Sequence, residues 1–385
     1  MRRRGYSKLS VCLAVLLSTA LWAQSPQIES AFREAQELES RGRLEQAEEE
    51  YRAILRQSPA DARALSSLGV VLAREGRYEE AIANYKRALA LNPRLPATEI
   101  NLGLAYFKKG KFTAAIPPLK KALELEPTSL QASGLLGMAY YATGKYRDAA
   151  DQLESVAREQ PGNTQLLYVL AESYLWGGEY EKVLKLFARL EKEAPQSPAA
   201  HMLLGEALDG LGRSSQAINE FRAAAEMSPS QPNVHFALGY LHWKQKKFEE
   251  AKGEFLEELK NDSEHALAKA YLGDVFYRQG ELAAASRLLN QALRLHRDMR
   301  VAYLDLGIIY TRQKEYPRAI AALKRAIRLD PSQTDAHYRL SVAYQEMGRK
   351  GDAEAERKLM GRLQERTREE LLHKISGPPP APRIE

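Results

Sequence analysis

Seven histidines are the residues of this chain best suited to metal binding or acid–base catalysis. None of them stands in a His-Glu-x-x-His or comparable ligand spacing. The single cysteine, Cys12, lies in an N-terminal apolar run, so the remaining chain offers no thiolate for a metal site or a nucleophile. The glycines are spaced for turns and helix contacts, not for a phosphate loop. We therefore expect no cofactor, no metal site and no enzymatic activity.

A second set of side chains is suited to binding a partner. Aromatic and acidic residues recur between residues 168 and 277 at i, i+4 and i+7, which places them on one side of successive helices. Aromatic rings supply rigid apolar area, and carboxylates select for positive charge. The predicted partner-binding residues are Tyr168, Glu172, Trp176, Glu206, Asp209, Phe236, Tyr240, Trp243, Asp274 and Tyr277. The alternative is that several of them pack against the next helix as ordinary core.

The segments that carry these residues repeat with a period of 34. Leu68-Gly69 is the first of nine leucines in one phase, which ends at Leu340. An alanine stands twelve residues after the small residue in nearly every unit, with Val183 as the exception, and a proline often follows twelve residues later. Self-similarity at such a period is typical of a solenoid.

This pattern resembles the tetratricopeptide repeat family, although the motif's early tryptophan is absent. Ten units fit, at 28–61, 62–95, 96–129, 130–163, 164–197, 198–231, 232–265, 266–299, 300–333 and 334–367. The resemblance implies an all-α, right-handed superhelical solenoid of helix-turn-helix repeats. It also implies that the first helix of each unit lines a concave groove, where the predicted partner-binding residues would lie.

The spacing has a physical reason within each unit. Apolar residues recur at helical intervals in two segments, so each unit is predicted to be two amphipathic helices. A small residue at place 8 of the unit lets the two backbones approach, and a glycine such as Gly76 takes the turn. His201, His235 and His337 share place 4, which predicts partly buried structural histidines. Pro117-Pro118 falls inside a second helix and predicts a late start or a kink.

The first 23 residues have the pattern of a secretory signal peptide. Arg2, Arg3, Arg4 and Lys8 precede an apolar run that is too short to span a bilayer comfortably. Cleavage after Ala23 is predicted, with a cut after Ala20 as an alternative, and either the general or the twin-arginine export route is open. A periplasmic or secreted location follows, with an inner-membrane signal anchor as the alternative.

Charge and composition limit the possible partners and indicate the structure of the C-terminal end of the chain. The chain carries 56 basic and 50 acidic residues, and removing the four early cations leaves 52 against 50, which argues against a nucleic-acid partner. After signal cleavage we expect no integral membrane span. Residues 368–385 are predicted to be the end of a helix and a Pro-rich disordered tail.

Two functions remain at this stage. The main hypothesis is a non-catalytic scaffold of the bacterial cell envelope that binds a protein or peptide in its groove, for assembly of a pilus, secretion or polysaccharide-export machine. The alternative is a non-catalytic carbohydrate-binding or polymer-guiding subunit. Neither the partner nor the oligomeric state follows from the sequence.

Overall fold

A computed structural model describes residues 26–376, and within that range all regular structure is helical. Twenty helices alternate as the first and second members of ten pairs, in the predicted phase. The first helices are α1 (Pro26–Ser40), α3 (Ala62–Arg74), α5 (Pro96–Lys108), α7 (Leu130–Ala142), α9 (Thr164–Trp176), α11 (Pro198–Gly210), α13 (Val234–Lys244), α15 (Ala266–Arg278), α17 (Arg300–Arg312) and α19 (Thr334–Glu346). The second helices are α2 (Leu44–Gln57), α4 (Tyr78–Leu91), α6 (Phe112–Leu125), α8 (Tyr146–Glu159), α10 (Tyr180–Glu193), α12 (Ser214–Met227), α14 (Phe248–Asn261), α16 (Leu282–Leu295), α18 (Tyr316–Leu329) and α20 (Lys350–Ser376). The predicted all-α fold is confirmed.

The pairs group into two compact units. The N-terminal unit ends at Ala194 and contains α1 to α10, and the C-terminal unit begins at Pro195 and contains α11 to α20. In each unit the first helix of a pair packs on the second helix that follows it, and neighbouring pairs stack. Stacking of this kind buries apolar faces that a single pair would leave in water.

Close approach of the two helices in a pair depends on the small residue at place 8. A Cβ atom on Gly205 would lie 2.4 Å from Cε1 of Phe221 in the partner helix, and one on Gly239 would lie 2.7 Å from Cε1 of Phe255. Phe255 is fully buried, and Phe221 is almost so. Aromatic rings therefore fill the space that a side chain at place 8 would need. At Gly239 the backbone oxygen of Ala251 would also lie 3.3 Å from the Cβ atom, so both a ring and the backbone of the second helix lie against this place.

The turn between the two helices of a pair uses a left-handed residue. Gly76 has a φ angle of 78°, and the equivalent glycines of seven other repeats also have positive φ angles. In repeats seven and nine the place is held by Lys246 (φ 61°) and Lys314 (φ 63°), which keep the same geometry without a glycine. A lysine side chain in this region is strained, because its Cβ crowds the backbone.

The proline pair does not delay its helix, so the predicted late start is wrong, while the alternative, a kink, stays a prediction. Helix α6 begins at Phe112, in phase with the other second helices, and Pro117 and Pro118 lie inside it. Each proline removes one amide donor and leaves a carbonyl four residues earlier without its helical partner. Pro117 and Thr113 are both exposed, so water can hydrate the carbonyl of Thr113.

The predicted signal peptide, residues 1–23, and most of the predicted Pro-rich tail lie outside the described residues. Helix α20 extends past the last predicted unit and ends at Ser376. Within residues 26–376, every helix is too short or too polar to cross a lipid bilayer.

Candidate functional site

Four of the ten predicted partner-binding residues line one cavity in the C-terminal unit. The cavity has a volume of about 310 Å³ and lies beside the first helices α11 and α13. Glu206 and Asp209 come from α11, and Phe236 and Tyr240 come from α13. They meet because places 9 and 12 of one repeat and places 5 and 9 of the next lie on facing sides of adjacent helices.

The remaining walls of the cavity are mostly apolar. Met202 and Phe221 are buried beneath the acidic side, and Leu241 is buried beneath the aromatic side. Asn233, at the N-terminal end of α13, adds an amide to the rim. An apolar interior with a few polar groups at its edge is the usual composition of a binding pocket.

The two carboxylates of the cavity differ in their surroundings. Asp209 accepts hydrogen bonds from Lys244 Nζ at 2.7 Å and from Ser214 Oγ at 3.2 Å. Lys244 Nζ also lies 5.6 Å from the ring centroid of Tyr240, so this cation borders the cavity. Glu206 is exposed at the surface of α11. The cavity therefore combines two acids with one cation at its edge, and it favours a positively charged group.

An aromatic cluster continues from the cavity into the next repeat. Phe236 and Tyr240 stack with centroids 6.2 Å apart, and Tyr240 and Trp243 stack at 5.9 Å. Tyr271 of α15 lies edge-on to Trp243 at 5.0 Å and to Tyr240 at 5.3 Å. Burial raises the pKa of Tyr271 to about 12, and the nearby Tyr240, Asp274 and Asp305 act in the same direction.

Tyr271 was not predicted from the sequence. It occupies place 6 of its repeat, whereas the predicted residues occupy places 5, 9, 12 and 13. The sequence could have indicated Tyr271, because it precedes Asp274 by three residues and so shares its helix face. Place 6 turns toward the preceding repeat, where Tyr271 supports the aromatic rings of α13.

Asp274 and Tyr277 lie outside the cavity. Asp274 is a buried side chain that is held by hydrogen bonds within the fold. Asp274 is only 2% exposed, and its Oδ2 accepts hydrogen bonds from Trp243 Nε1 at 2.5 Å and Arg278 Nε at 2.6 Å. Tyr277 is partly buried, with the guanidinium of Arg312 4.9 Å from its ring centroid. Asp274 thus holds the indole of Trp243, which stacks on Tyr240 of the cavity wall.

Tyr168, Glu172 and Trp176 lie on α9 in the N-terminal unit. Trp176 is 51% exposed and stacks on Tyr141 of α7 at 5.8 Å, with Tyr146 edge-on to it at 5.0 Å. The hydroxyl of Tyr141 donates a hydrogen bond to Glu172. Tyr168 is partly buried on the same helix. These residues form a separate aromatic surface rather than part of the cavity.

The three histidines at place 4 are structural, as predicted. Each Nδ1 lies within hydrogen-bond distance of a glutamate on the second helix of its own repeat, and each such pair is separated by 19 residues. The pairs are His201 with Glu220 at 2.8 Å, His235 with Glu254 at 2.7 Å and His337 with Glu356 at 2.7 Å. Within the described part of the chain, no three His, Cys, Asp or Glu side chains cluster closely enough to hold a metal ion.

Family models match most of the described chain. One tetratricopeptide repeat model matches residues 32–96 and, in overlapping segments, 202–266, 236–299 and 271–334. A second tetratricopeptide repeat model matches residues 141–207 and 310–360. A model for subunit 3 of the anaphase-promoting complex, or cyclosome, matches residues 74–156. No protein of curated function matches the sequence.

Several solved structures are similar in arrangement. Cut9–Hcn1 of the anaphase-promoting complex is 12% identical, with 93% of this chain and 90% of that chain covered and a TM-score of 0.47. Yeast Tom70 is 13% identical over 89% of this chain and 86% of its own, with a TM-score of 0.42. YrrB, a tetratricopeptide repeat protein described as having an unusual peptide-binding site, is 18% identical over 46% of this chain and 92% of its own, with a TM-score of 0.39.

Proposed function

The chain belongs to the tetratricopeptide repeat family, and from that premise we propose that it is a non-catalytic scaffold that binds a protein segment in the cavity of its C-terminal unit. The observation that carries the proposal is the joint lining of one cavity by Glu206, Asp209, Phe236 and Tyr240. Residues from two successive repeats meet there, so the site exists only when the repeats are stacked.

The chemistry of the lining defines the partner segment. Phe236 and Tyr240 offer rigid apolar area, which suits a hydrophobic anchor residue. Glu206 and Asp209 favour a neighbouring Lys or Arg on that segment. At about 310 Å³ the cavity is large enough for one or two side chains, and not for a folded domain. We therefore propose a short extended or helical segment with one apolar anchor and at least one cation.

Crosslinking in cells tests the position of the site. A photoreactive phenylalanine derivative in place of Tyr240 preserves an aromatic ring at the cavity wall. The matched probe replaces Glu250, which is exposed on the second helix α14. A partner captured from position 240 and not from position 250 supports the proposal. Capture from position 250 alone would place the binding surface on the second helices and contradict it.

Substitutions then measure the contribution of the cavity once the partner is captured. Tyr240→Ala removes a lining ring and is expected to weaken binding by about 2 kcal/mol or more, as at interface hot spots. Tyr338→Ala is the matched control, because Tyr338 is 49% exposed on α19 and is absent from the cavity lining. Equal losses of affinity in the two variants would show that the cavity is not the site.

A second candidate function is carbohydrate binding by the N-terminal unit. The observation in its favour is the exposed face of Trp176, which stacks on Tyr141 beside the carboxylate of Glu172. An aromatic face next to a hydrogen-bonding acid can stack on and orient a sugar ring. A glycan array with the intact protein and with Trp176→Ala tests this candidate, and binding that survives the substitution would eliminate Trp176 as the platform.

We also propose export to the cell envelope, where the scaffold would assist assembly of a pilus, secretion or polysaccharide-export machine. The basis is the basic and apolar pattern of residues 1–23. Mass spectrometry of the exported protein should find Gln24 at the N-terminus. An exported form that still begins with Met1 supports the inner-membrane signal anchor, and a protein confined to the cytoplasm contradicts export.

A further inference from the structure

A basic cleft lies in the N-terminal unit between the second helices α8 and α10. It has a volume of about 430 Å³ and is lined by four cations and one acid. Lys182, Lys185 and Arg189 follow one face of α10, and Arg158 stands on α8 together with Glu154, the one acid. The lining thus carries a net charge of +3, although the chain as a whole is nearly balanced outside its first residues.

The single acid of the cleft is already engaged. Glu154 Oε1 accepts hydrogen bonds from Lys182 Nζ at 2.8 Å and from Tyr174 Oη at 2.6 Å. Burial alone would raise the pKa of Glu154, but the hydrogen bonds from Lys182 and Tyr174 outweigh it and lower the pKa, so the carboxylate stays ionised. Lys182 is paired with two acids, because its Nζ also lies 2.6 Å from a carboxylate oxygen of Glu179. With Glu179 counted, the four cations face two acids, so the cleft keeps an excess of positive charge. That excess comes from the other three cations, Arg158, Lys185 and Arg189.

Those three cations are positioned differently. Arg189 Nη2 donates to the carbonyl oxygen of Ala157 at 2.9 Å, which fixes its guanidinium across the cleft from α10 to α8. Arg158 and Lys185 are exposed at the rim, and within residues 26–376 neither forms an ion pair. One hydrogen-bonded cation and two exposed cations around a concave surface are suited to an anionic ligand.

The floor of the cleft is apolar. Leu170 and Leu186 are buried there, together with the ring of Tyr174. Lys185 and Arg189 are four residues apart, a rise of about 6 Å along the helix. Alternate residues of an extended peptide are about 6.6 Å apart and point to the same side, so two acidic side chains in such a segment match the spacing of the two cations.

We propose that this cleft is a docking site for an extended acidic peptide segment. The site is distinct from the cavity of the C-terminal unit and selects the opposite charge, so one scaffold can hold two different segments. A sulfated glycan would match the cations but not the leucine floor, and a membrane surface would require a broad, flat basic face rather than a cleft.

A binding titration with defined probes tests the proposal. The probe is a fluorescein-labelled decapeptide of alternating Glu and Leu, and the comparison peptide carries Gln in place of Glu. The protein is the full chain, as wild type and as the double variant Arg158→Glu/Lys185→Glu. Both substituted residues are exposed, so the fold is expected to survive, which far-UV circular dichroism verifies.

We expect the acidic peptide to bind the wild type, to bind the double variant at least about tenfold more weakly and to lose affinity as salt rises. Lys192→Glu is the matched control, because Lys192 is an exposed lysine of α10 outside the cleft lining, and it should change the affinity little. Tyr240→Ala should also leave this affinity unchanged, which separates the cleft from the cavity.

Several results would overturn the proposal. One is equal binding of the Gln peptide, because the cations would then contribute nothing. Another is unchanged affinity in the double variant, or an equal loss in Lys192→Glu. A third is binding of a sulfated oligosaccharide or of phosphatidylglycerol vesicles without binding of the acidic peptide, which would assign the cleft to that ligand instead.

Discussion

Trp243 donates its indole N–H to the buried carboxylate of Asp274 across the boundary between repeats seven and eight, with 2.5 Å between Nε1 and Oδ2. Tyr141 and Glu172 repeat this relationship in the N-terminal unit, again with donor and acceptor 31 positions apart in the sequence. In both pairs an aromatic donor at place 12 of one repeat meets an acid at place 9 of the next. These hydrogen bonds join neighbouring repeats, so residues that resemble a binding surface also stabilise the stack.

The first prediction follows from the buried carboxylate. Trp243→Phe removes the indole donor and should destabilise the C-terminal unit by about 1–3 kcal/mol, the usual cost of leaving a buried polar group short of a partner. Trp176→Phe is the matched control, because that ring is 51% exposed, and its effect should stay within about ±0.5 kcal/mol. Urea unfolding followed by circular dichroism measures both. Equal shifts of the midpoint would mean that Asp274 does not depend on the indole.

A second prediction concerns the pH dependence caused by Asp305. This residue is buried, and its Oδ2 accepts no hydrogen bond from any residue of the described chain. Burial and then the charge of Asp274 raise its pKa well above the usual range, with Asp335 acting in the same direction and Arg278 and Arg339 opposing them. The folded chain therefore keeps this proton to higher pH than the unfolded chain does. The contribution of Asp305 to stability therefore falls as pH rises from the ordinary aspartate pKa through the raised one.

Asp305→Asn should abolish that decline, because the amide does not ionise. The variant should have a higher thermal midpoint than the wild type near neutral pH and a similar one near about pH 4. Asp298→Asn is the control, since Asp298 is exposed and forms only a surface ion pair with Arg325. Parallel pH profiles for wild type and Asp305→Asn would show that this carboxyl does not titrate in the folded chain as expected.

The third prediction is that alanine substitution at two glycines changes the stability of the protein in opposite directions. Gly205→Ala places a Cβ 2.4 Å from the buried ring of Phe221 and should destabilise by about 1–3 kcal/mol through overpacking. Gly253 lies in α14 with open space around its Cβ position, so Gly253→Ala should stabilise by up to about 1 kcal/mol through helix propensity. Urea midpoints compare the two. A shift of the urea midpoint in the same direction for both variants would contradict the close helix contact at place 8.

The left-handed lysines provide a fourth prediction. Lys246→Gly relieves a positive φ that glycine adopts without strain, and it should stabilise the C-terminal unit by about 0.5–1 kcal/mol after the cost in chain entropy. Lys324→Gly, at an exposed place inside α18, should instead destabilise by about 1 kcal/mol. Thermal unfolding of the two variants separates turn geometry from simple loss of a lysine. A lower thermal midpoint for Lys246→Gly than for the wild type would show that the positive φ of Lys246 does not strain the backbone.

The repeat phase predicted the helices because it records contacts within one unit. Place 8 must be small since the second helix of the same repeat lies against it, and both residues are in the same 34-residue segment. The predicted late start at Pro117-Pro118 was wrong for a related reason, because the carbonyl that Pro117 leaves without a helical partner lies at an exposed helix start that tolerates hydration. The 34-residue pattern was sufficient to predict most of the fold. The exception was the start of the helix that contains Pro117, where the exposure of the backbone mattered.

The site was less predictable because it depends on contacts between repeats. Phe236 and Tyr240 border one cavity together with Glu206 and Asp209, and their role in partner binding stays a prediction. Asp274 looked identical to those acids in sequence, yet its burial depends on donors that come from Trp243 and Arg278. A helix pattern gives the direction of a side chain but not the identity of what lies opposite it.

The last prediction concerns how the acids of the cavity select a partner. Glu206→Lys with Asp209→Asn should slow association with a cationic segment, and the defect should shrink as salt rises, because steering by charge is screened over about 10 Å at 0.1 M salt. Asn is preferred at position 209 because Lys244 already lies 2.7 Å from that carboxylate, so a second lysine would add repulsion within the fold. Stopped-flow measurements at two salt concentrations give the association rates for the partner captured from position 240.

The matched control for that experiment is Glu250→Lys with Glu257→Lys, two exposed acids of the second helix α14. It changes the net charge of the protein at least as much, but away from the cavity, so it should leave the association rate nearly unchanged. Dissociation rates should respond mainly to Tyr240→Ala, since buried apolar contact sets residence time and charge sets encounter. If both charge variants slow association equally, the effect belongs to the overall charge of the protein, and the cavity acids have no specific role in choosing the partner.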